Sequence, residues 1–144
     1  MVTCSRSLRI DATPEEIWGV IGRFKHTNEY SPLVVSVEAL TTGEDGVGSR
    51  RRNFFENGTS ITEEVIEWNP NASQRIVGSE FGPIPLRSLV AQIDIIPENT
   101  EKTTLQWSLE FKVKYGPVGW LMGQLLMKRA FGTVVAGNLD AVAD

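Results

Sequence analysis

The sequence predicts an α+β domain: a curved antiparallel seven-stranded sheet wrapped around a long C-terminal helix, with one or two short helices after the first strand. Three observations carry this. Residues 117–143 place Leu121, Leu125, Val135, Leu139 and Val142 at helical spacing, behind Gly116-Pro117, which supplies a break and a residue suited to a first helical turn. Most of the chain upstream reads as short strands joined by turns. A single long apolar helix that follows many strands has to bury its stripe against their sheet. A strongly curved sheet around one helix leaves a hollow between them, and that hollow is the lead to function.

The elements follow in order. Val2, Cys4, Leu8 and Ile10 alternate as a first strand, with Arg6 interrupting the apolar face. Thr13 then caps a helix, Pro14 fits its first position and Glu16 completes a capping box. Ile17, Trp18, Val20 and Ile21 form its buried side and Gly22 ends it. A short helical or irregular piece covers residues 24–30, and Pro32 stops it. Residues 33–40 form a strand, and residues 41–46 a polar hairpin loop. Residues 48–55 and 59–68 flank Asn57-Gly58, a tight-hairpin signal. Residues 74–81 are a strand. Residues 82–85 contain two prolines, which lack the ladder donor and rule out an ordinary strand interior. Residues 86–96 resume as a strand with Leu89, Ala91, Ile93 and Ile95 on one face. Leu105, Trp107, Leu109, Phe111 and Val113 alternate with polar residues in the cleanest half-buried strand of the chain.

Composition bounds the function. A chain of 144 residues reads as one domain, residues 1–144, and a domain of this size buries roughly 70% of its unfolded surface without a disulfide or metal staple. Hydrophobic content of 41% and charged content of 22% are ordinary for a globular protein. A net charge of −4 argues against a nucleic-acid partner. Cys4 is the only cysteine, so no internal disulfide forms. The first ten residues lack an apolar signal core, and no stretch reaches the ~20 apolar residues of a membrane span. The expectation is a soluble cytoplasmic protein without a bound cofactor or metal. The only histidine, His26, sits among polar residues, and there is no Gly-x-Ser-x-Gly elbow. One His and one Cys do not make a usual zinc site. Gly43, Gly46 and Gly48 lack the Walker lysine and the strand-loop-helix setting, so they read as a hairpin turn.

The segment Ile10-Asp11-Ala12-Thr13-Pro14-Glu15-Glu16-Ile17-Trp18 comes first among a set of recognisable pieces. Phe24 with Tyr30-Ser31-Pro32 follows, then Gly46-Val47-Gly48-Ser49-Arg50-Arg51, Glu63-Glu64-Val65 with Trp68-Asn69-Pro70, and Trp107. In order and spacing these resemble the START-like, Bet v 1-like superfamily (SRPBCC) with the helix-grip fold, and within it the bacterial polyketide cyclase/dehydrase and lipid-transport group. The resemblance covers nearly the whole chain. It implies a ligand-binding cavity between sheet and helix, but not one activity, because the superfamily includes aromatases and cyclases, hormone receptors and lipid carriers.

The candidate site consists of polar residues on otherwise inward faces. Glu63 lies between Ile61 and Val65 at strand spacing. A carboxylate there should pair, protonate or meet water, since an unpaired buried charge is costly. A two-residue Asn57-Gly58 turn sets Arg52 opposite Glu63, whereas one extra residue sets Arg51 there. The Gly-x-Gly-x-x-Arg pattern of the resembling family points to Arg51. Arg87 shares parity with Leu89 and Ala91 and could meet an acidic ligand or reach back to water. Tyr30 matches an aromatic position of the family and could close the mouth. Phe81, Ile84 and Pro85 form an apolar loop of the kind that gates a cavity. Trp107 and Leu109 supply wall. On the long helix Leu125 and Gly132 fall on the inner stripe, Gly132 leaving space there, and Lys128 lies near that stripe, where it could reach the cavity end.

The leading reading is a binder or carrier of a lipophilic small molecule (lipid, isoprenoid or polyketide-like), oriented by Arg51, Glu63 or Tyr30. The alternative is a cyclase, aromatase or dehydratase with Glu63 as general acid or base and Tyr30 or Arg51 polarising a carbonyl. A third is a protein-partner module without a ligand. The sequence leaves open whether the chain forms a homo-oligomer.

Overall fold

The structure is a computed structural model that describes residues 2–29, 34–56, 58–84 and 86–113. The helix expected over 117–143, with Leu125, Lys128 and Gly132, lies outside these residues, as do Tyr30 and Pro85. The chain runs β1 (Val2–Ile10), α1 (Pro14–Ile21), a 3₁₀ segment (Phe24–Glu29), β2 (Val34–Ala39), β3 (Arg50–Phe55), β4 (Ser60–Asn69), β5 (Ser73–Ser79), β6 (Leu86–Pro97) and β7 (Thr103–Val113). The strands form one seven-stranded antiparallel sheet in the order β1-β7-β6-β5-β4-β3-β2. Strands 2 to 7 are thus joined as successive hairpins, and β1 closes onto β7.

One face of this sheet carries the core. Leu89, Ala91, Ile93 and Ile95 of β6 and Leu105, Trp107, Leu109 and Phe111 of β7 are all buried, as period-2 alternation requires. Cys4 and Ile10 of β1, Ile61 and Val65 of β4 and Ile76 of β5 extend that inner face, and Ile17, Ile21 and Phe24 pack onto it. Bulges interrupt β2 between Val34 and Ser36, β4 between Val65 and Glu67, and β6 between Leu86 and Ser88. Each bends its strand and resets parity beyond it. The β4 bulge turns Trp68 rather than Glu67 inward, where its ring meets that of Trp18 edge-on, with centroids 4.9 Å apart.

The helix α1 begins as its residues require. Thr13 has an extended backbone, accepts from the Glu16 N–H and receives the Glu16 carboxylate at its own N–H, with Pro14 behind it. Ile17 and Ile21 are its buried side, and Trp18 is half-buried. Val20, expected inward, is exposed. At about 100° per residue it projects from the side of the Ile17–Ile21 line opposite to Trp18, which packs against the core.

Two expected boundaries move for backbone reasons. The strand expected from residue 48 starts at Arg50, because Gly48 has φ 93°. The strand expected to reach residue 81 stops at Ser79, because Glu80 and Gly82 both have positive φ.

Candidate functional site

The turn between β3 and β4 decides which arginine meets Glu63. The Phe55 N–H donates to the Thr59 carbonyl, so three residues separate the strands instead of two, and Gly58 takes φ 85°. That extra residue pairs Arg51 with Glu63 and Arg52 with Thr62. The tight two-residue turn suggested by Asn57-Gly58 is therefore not the one formed.

Arg51 is 4% exposed. Its Nε and Nη2 donate to Glu63 Oε1 at 3.2 and 3.1 Å, and its Nη1 donates to the Phe24 carbonyl at 2.7 Å. The guanidinium carbon also lies 4.0 Å from the centre of the Phe24 ring. Asn53, two residues on along the same face, donates through Nδ2 to the same Glu63 oxygen. One carboxylate oxygen thus collects three donors. The Glu63 side chain keeps 13% exposure on a face otherwise built from Ile61 and Val65.

Arg51 belongs to a set of tethers. Thr103 of β7 donates to the Ala12 carbonyl at 2.8 Å, and Gln74 of β5 donates to the Ile21 carbonyl at 3.0 Å. With Arg51 on Phe24, three strands each hold one carbonyl of the segment that carries α1. The Ile21 carbonyl lies at the end of α1, where no intrahelical donor reaches it, and Phe24 lies beyond that end, at the start of the 3₁₀ segment. Arg51 is therefore first a structural fastener, and its donors face protein groups.

Asn53 and Gln74 were not among the residues singled out from sequence. Their signal was the one that marked Glu63: polar residues at inward strand parity, Asn53 beside Arg51 and Gln74 beside Ile76. Both are almost fully buried, and among the described residues Asn53 Oδ1 and Gln74 Oε1 have no hydrogen-bond partner. Gly78 is the register partner of both Glu63 and Leu89. A Cβ on Gly78 would lie 3.2 Å from Leu89 Cβ and 3.3 Å from Phe81 Cε1. Phe81, from the turn after β5, and Leu89, on β6, therefore close over Gly78 next to Glu63, both buried, and Ile84 packs half-buried on the same core.

Arg87 is not brought to the inner face. The β6 bulge lets both Leu86 and Leu89 point inward, and Arg87 is exposed. The basic run divides as pleating requires. Arg50 pairs with Glu64 and Arg52 with Glu80 on the outer side, while Arg51 is inside. Glu80 lies outside the core: the Thr62 hydroxyl and then the Arg52 guanidinium hold its carboxyl below its ordinary value. Gly43, Gly46 and Gly48 lie in the loop between two strands, with no helix following. His26 is exposed. No group of metal-ligating side chains occurs among the described residues, and no helix among them is long and apolar enough to cross a membrane. A groove of about 460 Å³ does occur at the start of α1, lined by Asp11, Thr13, Glu16, Glu101 and Lys102 among others. It is solvent-open and charged, and none of the expected site residues lines it.

An open antiparallel sheet with a short helical segment strapped across its inner face, and a buried ionic cluster on that face, defines a START-like α+β protein. The chain belongs to the polyketide cyclase/dehydrase and lipid transport family, whose model matches residues 1–144. Similar solved structures include a START superfamily protein from Mycobacterium smegmatis, with TM-score 0.79 and 19% identity over 98% of this chain and 94% of that one. Norcoclaurine synthase from Thalictrum flavum, solved with dopamine and hydroxybenzaldehyde, has TM-score 0.76 and 20% identity over 98% of this chain and 83% of that one. The di-domain ARO/CYC protein BexL of the BE-7585A biosynthetic pathway has TM-score 0.78 and 16% identity, covering 99% of this chain and 45% of that one. No functionally curated protein matches. At such identities the likeness establishes the fold.

Proposed function

We propose that the chain binds a lipophilic small molecule against the inner face of its sheet, as a binder or carrier. The observation that supports this is a polar cluster set into an apolar wall. Leu89, Ala91, Trp107 and Leu109 offer burial, and Glu63 with Asn53 offers one fixed polar point beside them. The family's description names lipid transport, and a neighbour of the same fold was solved with two small aromatic molecules.

Native mass spectrometry of the purified full chain tests it. A lipophilic mass retained under gentle conditions and lost on denaturation is the expected result. An empty protein that also fails to take up aromatic polyketides, isoprenoids or fatty acids in a thermal-shift screen would sink the proposal.

One observation favours a second reading, a cyclase or dehydratase. Glu63 Oε2 receives none of the three bonds that converge on Oε1, so one carboxylate oxygen is open to act as a base. Under that reading Glu63→Gln abolishes turnover of a poly-carbonyl substrate without displacing it; retained turnover removes the mechanism.

A further inference from the structure

The atoms of the polar cluster state what kind of ligand group it accepts. Arg51 engages its guanidinium inside the protein, with Nε and Nη2 on Glu63 Oε1 and Nη1 on the Phe24 carbonyl. The Phe24 ring covers its face. Asn53 Nδ2 is engaged on Glu63 as well. The oxygens left over are both acceptors. Among the described residues, Glu63 Oε2 takes no hydrogen bond, and Asn53 Oδ1, in a residue 4% exposed, is buried and has no partner. The Asn53 amide cannot simply be turned round, because its oxygen would then lie against Glu63 Oε1. A buried acceptor without a donor is the expensive case, and a donor supplied from outside removes that cost. Directly across the sheet from Glu63 stands Gly78, with Phe81 and Leu89 packed close about it, so the neighbouring surface is apolar.

We infer that this cluster is an acceptor-only subsite, which selects a lipophilic ligand by a hydrogen-bond-donating end, a hydroxyl or an amine, and turns away carboxylates. The inference rests on the reading that the inner face binds a lipophilic molecule. A ligand carboxylate would set its charge against Glu63, beside an arginine whose three nitrogens all already donate within the protein. A ketone would bring its lone pairs toward two oxygens that have no hydrogen to donate. A hydroxyl or amine satisfies one or both.

Equilibrium dialysis of the full chain with four naphthalenes tests this: 2-ethylnaphthalene, 2-naphthol, 2-acetylnaphthalene and 2-naphthoate. The expected order puts 2-naphthol about tenfold tighter than the ethyl and acetyl compounds, with 2-naphthoate weakest. Glu63→Gln adds a reversal. Its amide oxygen has to stay on the donors of Arg51 and Asn53, so its NH₂ takes the place of Oε2. That variant should lose the preference for 2-naphthol and gain affinity for 2-acetylnaphthalene. If it does not fold, Asn53→Ala, which removes Oδ1 and leaves the Arg51–Glu63 pair, should shrink the 2-naphthol advantage. Equal binding of 2-ethylnaphthalene and 2-naphthol, or tightest binding of 2-naphthoate, overturns the acceptor-only subsite while leaving the lipophilic-binding reading intact. Binding of none of the four by folded protein overturns both.

Discussion

Arg50, Arg51 and Arg52 are adjacent and chemically identical, yet they do different things. Pleating puts Arg51 inside and its neighbours outside. Inside, the guanidinium is fixed by Glu63, the Phe24 carbonyl and the Phe24 ring. Removing it leaves the Glu63 carboxylate with little solvent and without its cation. Arg51→Met should therefore destabilise the fold by about 3–5 kcal/mol. Arg52→Met removes a pair whose side chains are 35% and 55% exposed, so it should cost under about 1 kcal/mol. Urea denaturation of the two variants decides it; similar losses would mean the Arg51 pair is not a buried fastener. The presence of an inward Glu63 was legible from its spacing with Ile61 and Val65. Its partner was not, because a single loop residue in the β3–β4 turn exchanges one arginine for the next.

At the scale of elements, α1 is too short to be stable alone, and eight residues fall below the length at which isolated helices persist in water. It survives by its capping box, by Ile17 and Ile21, and by the tethers at Ala12, Ile21 and Phe24. Gln74→Leu keeps much of the volume but leaves the Ile21 carbonyl without its donor, at a cost of about 1–3 kcal/mol. Hydrogen exchange should then quicken in α1 while the β6 and β7 amides keep their protection relative to global unfolding. A uniform change across the chain would show that Gln74 supports the sheet rather than the helix. The capping box was readable in Thr13-Pro14-Glu15-Glu16 because a cap is local. The tethers were not readable, since Gln74 lies 53 residues from the carbonyl it holds.

For the whole molecule, the turn after β5 is fastened to the outer side of the sheet through Glu80. Its carboxylate receives the Thr62 hydroxyl and Arg52 Nη2, across from β4 and β3, with a backbone φ of 54°. These donors lower its pKa below the ordinary value of 4.5 in the folded state. The unfolded chain therefore takes up the proton first as pH falls. The stabilisation is fully present above that ordinary value and is lost as pH falls through the lower folded value. Glu80→Gln should make stability fall less steeply on acidification, with little change in the pH dependence on the neutral side. Denaturation curves collected through the acid range check this, and an unchanged acid slope would show that Glu80 does not couple to folding.

Within the described residues, the chain's periodicities determined its strands, the start and end of α1 and the apolar face of β6 and β7. These depend on neighbours a few positions away, and local stereochemistry imposes them wherever the chain goes. The seven strands and their antiparallel sheet followed from their turn-linked order and from a family resemblance carried by several short segments; the closing of β1 onto β7 is a tertiary contact. Tertiary structure decided the rest. Bulges moved Arg87 outward and Trp68 inward, a three-residue turn chose Arg51, and Asn53 and Gln74 became the polar contacts of the inner face. Each of these results depends on a shift of one residue or on contacts between distant strands. Hydrophobic pattern does not encode such shifts, because a one-residue slip in register exchanges the two faces of a strand while leaving its sequence unchanged.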